Sequence, residues 1–290
     1  MSGGLAAVFA GGFFASEAVR IAAGVGALVA VVTGVVGVFT VVRGQSFAGE
    51  AFGDIGTTGG AGAYLLGVGP LWGFVVGNVA AAGAMELIGI QRPRGRDLAT
   101  GIVLGAAIGL AALFLYLDTT VHDASGATVT ILFGSVFAIS SSSLPLIGLL
   151  SLLVLGTMAA LYRPLLLSSV SAEMAAARGI RVRLVGFVYL LALALATALA
   201  AITIGTILST ALLVGPAATA LRLVKRPLLA MTAAAAIGTG AMWLGIVLAY
   251  DSYHWPPEGR GWPVSFFVVS LVFAVYLLAG LVERRRGRTG

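Results

Sequence analysis

The sequence predicts an all-α fold, a polytopic membrane helical bundle of eight or nine transmembrane helices. Three observations carry that reading. The chain of 290 residues is 59% hydrophobic and only 10% charged, against about half and a quarter in ordinary soluble domains. Its apolar stretches reach the roughly 18 residues a helix needs to cross a bilayer core. Its basic residues fall in short clusters between those stretches, which is a topology signal rather than a nucleic-acid face.

Nine candidate spans follow along the chain, at about 20–42, 51–68, 71–91, 98–117, 145–162, 184–201, 204–221, 229–250 and 264–282. Residues 1–19 are interrupted by Gly11, Gly12, Glu17 and Arg20 and read as an interfacial segment. Residues 20–283 form the membrane domain, and 284–290 a basic tail. The turn between the sixth and seventh spans, at Ala201–Thr203, is short. One helix there is broken or re-entrant, which leaves the count between eight and nine.

In a nine-span arrangement 15 of the 17 basic residues lie on one side, from Arg43 through Arg92, Arg94 and Arg96 to Arg284–Arg286 and Arg288. Only Arg20 and Arg260 lie opposite. Basic loops stay in the cytoplasm, so the C-terminus is expected inside and the N-terminus outside. The outer loops carry Asp118, Asp123, Asp251 and Glu258, with His122 and His254. These read as solvated loop residues, and Trp255 and Trp262 as interface anchors. Most of the 41 glycines read as packing residues that let helix backbones approach in lipid, among them Gly34, Gly37, Gly105 and Gly109.

Composition excludes several functions. There is no cysteine, hence no disulfide framework, iron–sulfur cluster or thiolate zinc site. The one lysine, Lys225, follows Val224, so no phosphate-binding G-x-x-x-x-G-K-[ST] loop exists. Any ATP hydrolysis belongs to a partner. No nucleic-acid partner and no bound cofactor are expected, and no signal peptide is read.

Carboxylates inside a span are costly and default to function. Glu50 and Asp54 are four residues apart and share a helix face. Such a pair offers oxygen ligands to a hard divalent cation or shares a proton. The competing reading makes them interfacial, solvated or paired with Arg43. Residues 44–49 are a possible unwound turn that would carry the pair toward the bilayer centre. Glu86, close before the Arg92 cluster, reads as a snorkelling or arginine-paired interface residue.

Two basic segments are candidate docking elements. In 163–183, Ser171 can cap a short helix, with Glu173 in its first turn and Gly179 as its stop beside Arg178. In 222–230, Arg222, Lys225 and Arg226 follow a span containing Pro216, which removes a backbone donor and reads as a kink or gating point.

Four stretches in order then carry a resemblance. They are Val41-Val42-Arg43-Gly44-Gln45-Ser46-Phe47-Ala48-Gly49-Glu50, the Asp97–Gly101 segment, Ile131-Leu132-Phe133-Gly134-Ser135, and Glu173–Val182 with Ser209–Ala220. Over roughly residues 15–283 the chain resembles the permease subunits of metal-type ABC importers, which take up zinc, manganese or iron in prokaryotes. The resemblance implies a metal-type ABC permease fold and a two-fold dimer in the cell membrane. It also implies two cytoplasmic ATPase subunits that hold the ATP, an external solute-binding protein, and a divalent metal as cargo. By analogy 222–230 is the main ATPase coupling element and 168–183 a second. Where the family usually has aspartate and histidine in its metal path, this chain has Glu50 and Asp54. Loss of the imidazole shifts preference from zinc toward harder cations such as manganese, or toward another cargo. An ion-gradient-coupled carrier using the same two carboxylates is the alternative class.

Overall fold

The computed structural model describes residue 13 and residues 16–88, 96–121, 130–134, 136–255 and 261–286. Nine long helices account for most of them, with no strand among the described residues. They are α1 (Glu17–Val42), α2 (Ser46–Leu65), α3 (Pro70–Ile88), α4 (Arg96–Val121), α5 (Leu144–Val170), α7 (Val182–Ile204), α8 (Thr206–Leu223), α9 (Pro227–Asp251) and α10 (Val264–Arg286). A short α6 (Ala172–Ala177) bridges α5 and α7. Each expected span overlaps one long helix. The first begins at Glu17, inside the segment read as interfacial, and the last runs through Arg286, into the segment read as tail.

Eight of the nine are long and apolar enough to cross a membrane. The exception is α2, which carries Glu50, Asp54, Thr57, Thr58 and six glycines in 20 residues. It is enclosed instead: α3 and α4 pack along it, with α7 and α8 behind. Residues 46–49, considered as an unwound turn, belong to this helix. The irregular backbone is confined to a tight corner at 43–45. There Gly44 takes a φ of +62° and Gln45 N–H donates to Thr40 O at 2.8 Å.

Close backbone approach explains the bundle. A Cβ on Gly34 would lie 2.8 Å from the Ala235 nitrogen, one on Gly37 would strike the Leu213 carbonyl, and one on Gly26 would lie 2.5 Å from the Met242 side chain. These positions lay α1 antiparallel along α9 and against α8. Gly59 and Gly73 bring the α2 and α3 backbones together in the same way. Gly105 and Gly109 do not serve packing as expected: a Cβ on either meets nothing within 4 Å. Both lie on the exposed side of α4.

One interruption lies inside the bundle. α7 ends at Ile204, Gly205 turns the chain with φ +86° and ψ 163°, and α8 starts at Thr206. The break falls a few residues after the short turn the sequence suggested. It faces the middle of α2, because Thr57 Oγ1 donates to Thr206 Oγ1 at 2.8 Å. Gly134, with φ +71°, packs its backbone directly on Ile204 and Gly205. Non-helical backbone at membrane depth persists only where protein buries it, and Ile131, Val136 and Ile204 are all buried around this contact.

The C-terminal ends of α4 and α9 hold two corrections. Asp118 and Asp251, expected in solvated loops, are buried within the last turns of α4 and α9. Asp251 tolerates burial because Trp255 Nε1 donates to its Oδ2 at 3.1 Å. Trp255 packs edge to face on Trp262 and on Phe267, and Trp262 stacks on Phe267. His122, Asp123 and Glu258 lie outside the described residues, as do Arg92, Arg94, Arg260 and Arg288.

Gly205 occupies a backbone region open essentially to glycine alone, where any other residue costs about 1–3 kcal/mol. Gly205→Ala adds overlap with Gly134 to that strain. It is expected to lower the thermal midpoint of the purified protein in detergent by several degrees. Gly24→Ala, a helical position with open space around it, is expected to leave the midpoint unchanged or raise it slightly. Equal effects of the two would contradict the packing described.

Candidate functional site

The site starts from α2. Glycines at 49, 53, 56 and 60 fall on adjoining turns of one side and admit the neighbouring helices. A Cβ on Gly49 would lie 2.7 Å from Leu213 Cδ2, one on Gly53 2.6 Å from Ser209 Oγ, and one on Gly60 would lie against the Phe74 ring. With that side occupied, Phe47, Glu50 and Asp54 are turned to another face. Glu50 and Phe47 are exposed on the single chain and Asp54 is half-buried. Helical rise places Asp54 about 12 Å along the axis from Ser46.

Neither carboxylate forms an ion pair among the described residues. Arg43, their suggested partner, points elsewhere: its Nη1 donates to Ser168 Oγ at 3.1 Å and Ser169 Oγ at 3.3 Å. Its guanidinium also sits 5.4 Å from the centroid of the Tyr189 ring. Hydroxyls line the next turns of the helix. Thr57 and Thr206 are hydrogen-bonded to each other, and Ser209 and Thr210 lie beside Gly53. Carboxylates and hydroxyls are oxygen donors of the kind a hard cation takes. No group of three or more His, Cys, Asp or Glu residues gathers among the described residues, so one chain alone offers two charged ligands at this place.

Glu86 and the 163–183 segment lie at the end of the bundle where α1 turns into α2, since Arg43 of that corner reaches Ser168 and Ser169. Glu86 is arginine-paired, with Arg183 Nε 2.7 Å from its Oε1. Ser171 caps α6 by accepting the Met174 N–H at 3.2 Å, Glu173 lies in its first turn, and Gly179 turns out of it with φ +79°. Glu173, Met174, Arg178 and Gly179 are exposed. Beside α6 runs a groove of about 670 Å³, floored by Leu166, Leu167 and Val170 and rimmed by Arg163 and Arg178.

The second basic segment is built differently. Residues 224–226 form a corner between α8 and α9 without a helix of their own. Lys225 and Arg226 are exposed there, but Arg222 is engaged within the chain. Its guanidinium lies over the Tyr276 ring, donates to the Tyr276 hydroxyl and approaches Glu283 at 3.9 Å. α8 runs unbroken through Pro216, which is buried against α9.

Sequence reasoning missed the hydroxyl layer and Asn78. Asn78, the chain's one asparagine, is fully buried in α3 and donates to Ala194 O and Thr197 Oγ1, both at 3.1 Å. An amide inside a span was the available signal. Thr57 follows Asp54 by three residues, so helical spacing alone also pointed to it.

The described geometry has close relatives. The chain is 31% identical to the manganese transport system membrane protein MntC of Listeria innocua serovar 6a, over 77% of this chain and 78% of that protein. It is 34% identical to the MntC of Halalkalibacterium halodurans, over 77% of this chain and 76% of that one. Among solved structures, PsaBC from Streptococcus pneumoniae in complex with Fab matches its fold with a TM-score of 0.79 at 24% identity, covering 94% of this chain and 95% of that one. The family model described as the ABC 3 transport family matches residues 15–279. With nearly its whole length matched, the chain belongs to the ABC 3 transport family.

Proposed function

We propose that this chain is the membrane-spanning subunit of an ATP-driven importer for a divalent metal cation, manganese before zinc or iron. The observation that carries the reading is the Glu50–Asp54 pair. Two carboxylates stand one helical turn apart on the enclosed helix, Glu50 exposed and Asp54 half-buried, and threonine and serine hydroxyls line the adjoining turns. Its relatives named for manganese transport support the same cargo.

Two carboxylates are few ligands for an ion that takes six or more oxygens. A second copy related by a two-fold axis would double the set and cover the exposed Glu50. In this reading the arginine-rich ends are cytoplasmic, by the positive-inside rule, with the C-terminus inside and the N-terminus outside. An external solute-binding protein delivers the ion to the opposite face. Two ATPase subunits hold the ATP and dock on the arginine-rich face. Of the two docking candidates, α6 is the principal one. It projects a capped helix with an exposed Met174 beside an arginine-rimmed apolar groove, whereas 222–230 supplies Lys225 and Arg226 at a corner. Arg222 then serves as an internal tie between α8 and α10, and Pro216 as a position where α8 can bend.

Transport in this scheme is movement of helices around an ion, not chemistry on this chain. Reconstituted with its ATPase and binding protein, the complex is expected to take up Mn²⁺ in an ATP-dependent manner. Glu50→Gln with Asp54→Asn is expected to reduce that uptake at least tenfold at equal membrane levels. Undiminished uptake by the double variant would remove the carboxylates from the path. Ion flux by this chain without any ATPase would point to a gradient-driven carrier instead.

A second expectation concerns docking. Met174→Asp places a charge on the exposed apolar side of α6. It is expected to weaken co-purification of the ATPase subunit while leaving the thermal midpoint of the isolated chain unchanged. The same substitution at Leu228, exposed beside the 224–226 corner, is expected to have the smaller effect.

A further inference from the structure

Arg43 ends α1 as its C-terminal cap, and α2 starts three residues later at Ser46. Its side chain leaves this corner and reaches the far end of α5, where it meets Ser168 and Ser169 together. Both serine hydroxyls donate to Leu165 O, at 3.1 and 2.6 Å. Their protons are thereby committed, and their lone pairs face the guanidinium. Both bonds come from one nitrogen, Nη1, while the flat guanidinium is free to lie over an aromatic face, which a lysine ammonium does not match in shape. The guanidinium also stacks on Tyr189 of α7, whose fully buried ring is fixed by a 2.8 Å hydrogen bond with Thr40 of α1.

Three helices therefore meet at one side chain. Ser169 stands two residues before Ser171, the cap of α6. On the other side of the clasp the corner is held by the Gln45-to-Thr40 backbone bond, and Gly49 N–H donates to Gln45 O at 3.0 Å, one residue before Glu50. α6 itself packs on α5 and α7. The Arg43 clasp is a direct polar tie between the α5–α6 elbow and the corner that leads into the carboxylate helix.

We propose that Arg43 is a positioning residue that makes the α5–α6 elbow and the α1–α2 corner move as one body, so that displacement of α6 reaches Glu50 and Asp54. The inference rests on α6 being the element on which the ATPase acts. A coupling claim needs an element whose arrangement both ends bias, not mere intermediacy. The clasp would be such an element: its hydrogen bonds join neutral hydroxyls to one cation, so they can be lost without removing any core side chain.

The test uses Ser168→Ala with Ser169→Ala, which deletes both acceptors and leaves Arg43 and the fold in place, and Arg43→Lys as a second variant. In the reconstituted complex the double serine variant is expected to hydrolyse ATP within about twofold of the unmodified rate while Mn²⁺ uptake per ATP falls at least fivefold. Arg43→Lys is expected to fall between the two. Uptake per ATP that stays unchanged in both variants would overturn the proposal.

A second readout needs no transport at all. The chain has no cysteine, so spin labels at Val42→Cys and Ala177→Cys, both exposed positions, report the corner-to-elbow distance in the isolated protein. One narrow distribution is expected with the clasp intact, and one at least twice as broad in the double serine variant. Equal widths would overturn the tie even if transport were impaired. A narrow distance in an otherwise transport-incompetent unmodified complex would leave the tie standing and sink the functional reading instead.

Discussion

Everything in this molecule depends on hiding a polar helix. α2 carries two carboxylates, two threonines and six glycines in 20 residues, and it lacks the apolar surface to face lipid. It is sheltered because its glycines let α3 and α8 come within backbone distance, with α7 packed behind. In a bilayer such close approach takes the place that hydrophobic burial holds in water, since lipid is as apolar as any side chain. The enclosure is incomplete where Glu50 and Asp54 stand.

Much of this was legible in the sequence, for identifiable reasons. Apolar runs long enough to span are unmistakable, so each long helix was overlapped by an expected span, with ends missed by up to five residues except at α5, which runs eight residues further, to Val170. The α6 helix was readable because Ser171, Glu173 and Gly179 are each the residue that a helix start or stop calls for. Gly34 and Gly37 were read correctly as packing residues, whereas Gly105 and Gly109 were not. Spacing alone does not say which side of a span faces protein. Asp118 and Asp251 misled for a related reason: a carboxylate near a helix end looks solvated until its partner, for Asp251 an indole from the following turn, is known.

The partners of the arginines were the least legible part. Arg43 and Glu50 are seven apart in sequence, and a pairing between them was reasonable. The structure instead sends Arg43 to serines more than 120 residues away and Arg222 to a tyrosine on the last helix. Such ties depend on which helices are neighbours, and hydropathy is silent about neighbours. They also change the meaning of the basic clusters. Charge counting treats each arginine as a marker of the cytoplasmic side, yet Arg43, Arg183 and Arg222 all spend their donors inside the chain, holding helix ends together.

The polarity of α2 bears on how the protein is made. A charged residue near the centre of a nascent span raises its insertion cost by roughly 2.5–3.5 kcal/mol, and the glycines and alanines of this helix offer little to offset it. Left to partition by itself, α2 would not stay in the bilayer. The corner at 43–45 and the short turn at 66–69 connect it closely to two helices that do partition. The unit that enters the membrane is therefore a hairpin, in which an apolar neighbour carries the polar helix across. The chain order that places α2 between α1 and α3 is as much a condition of biogenesis as of the finished fold.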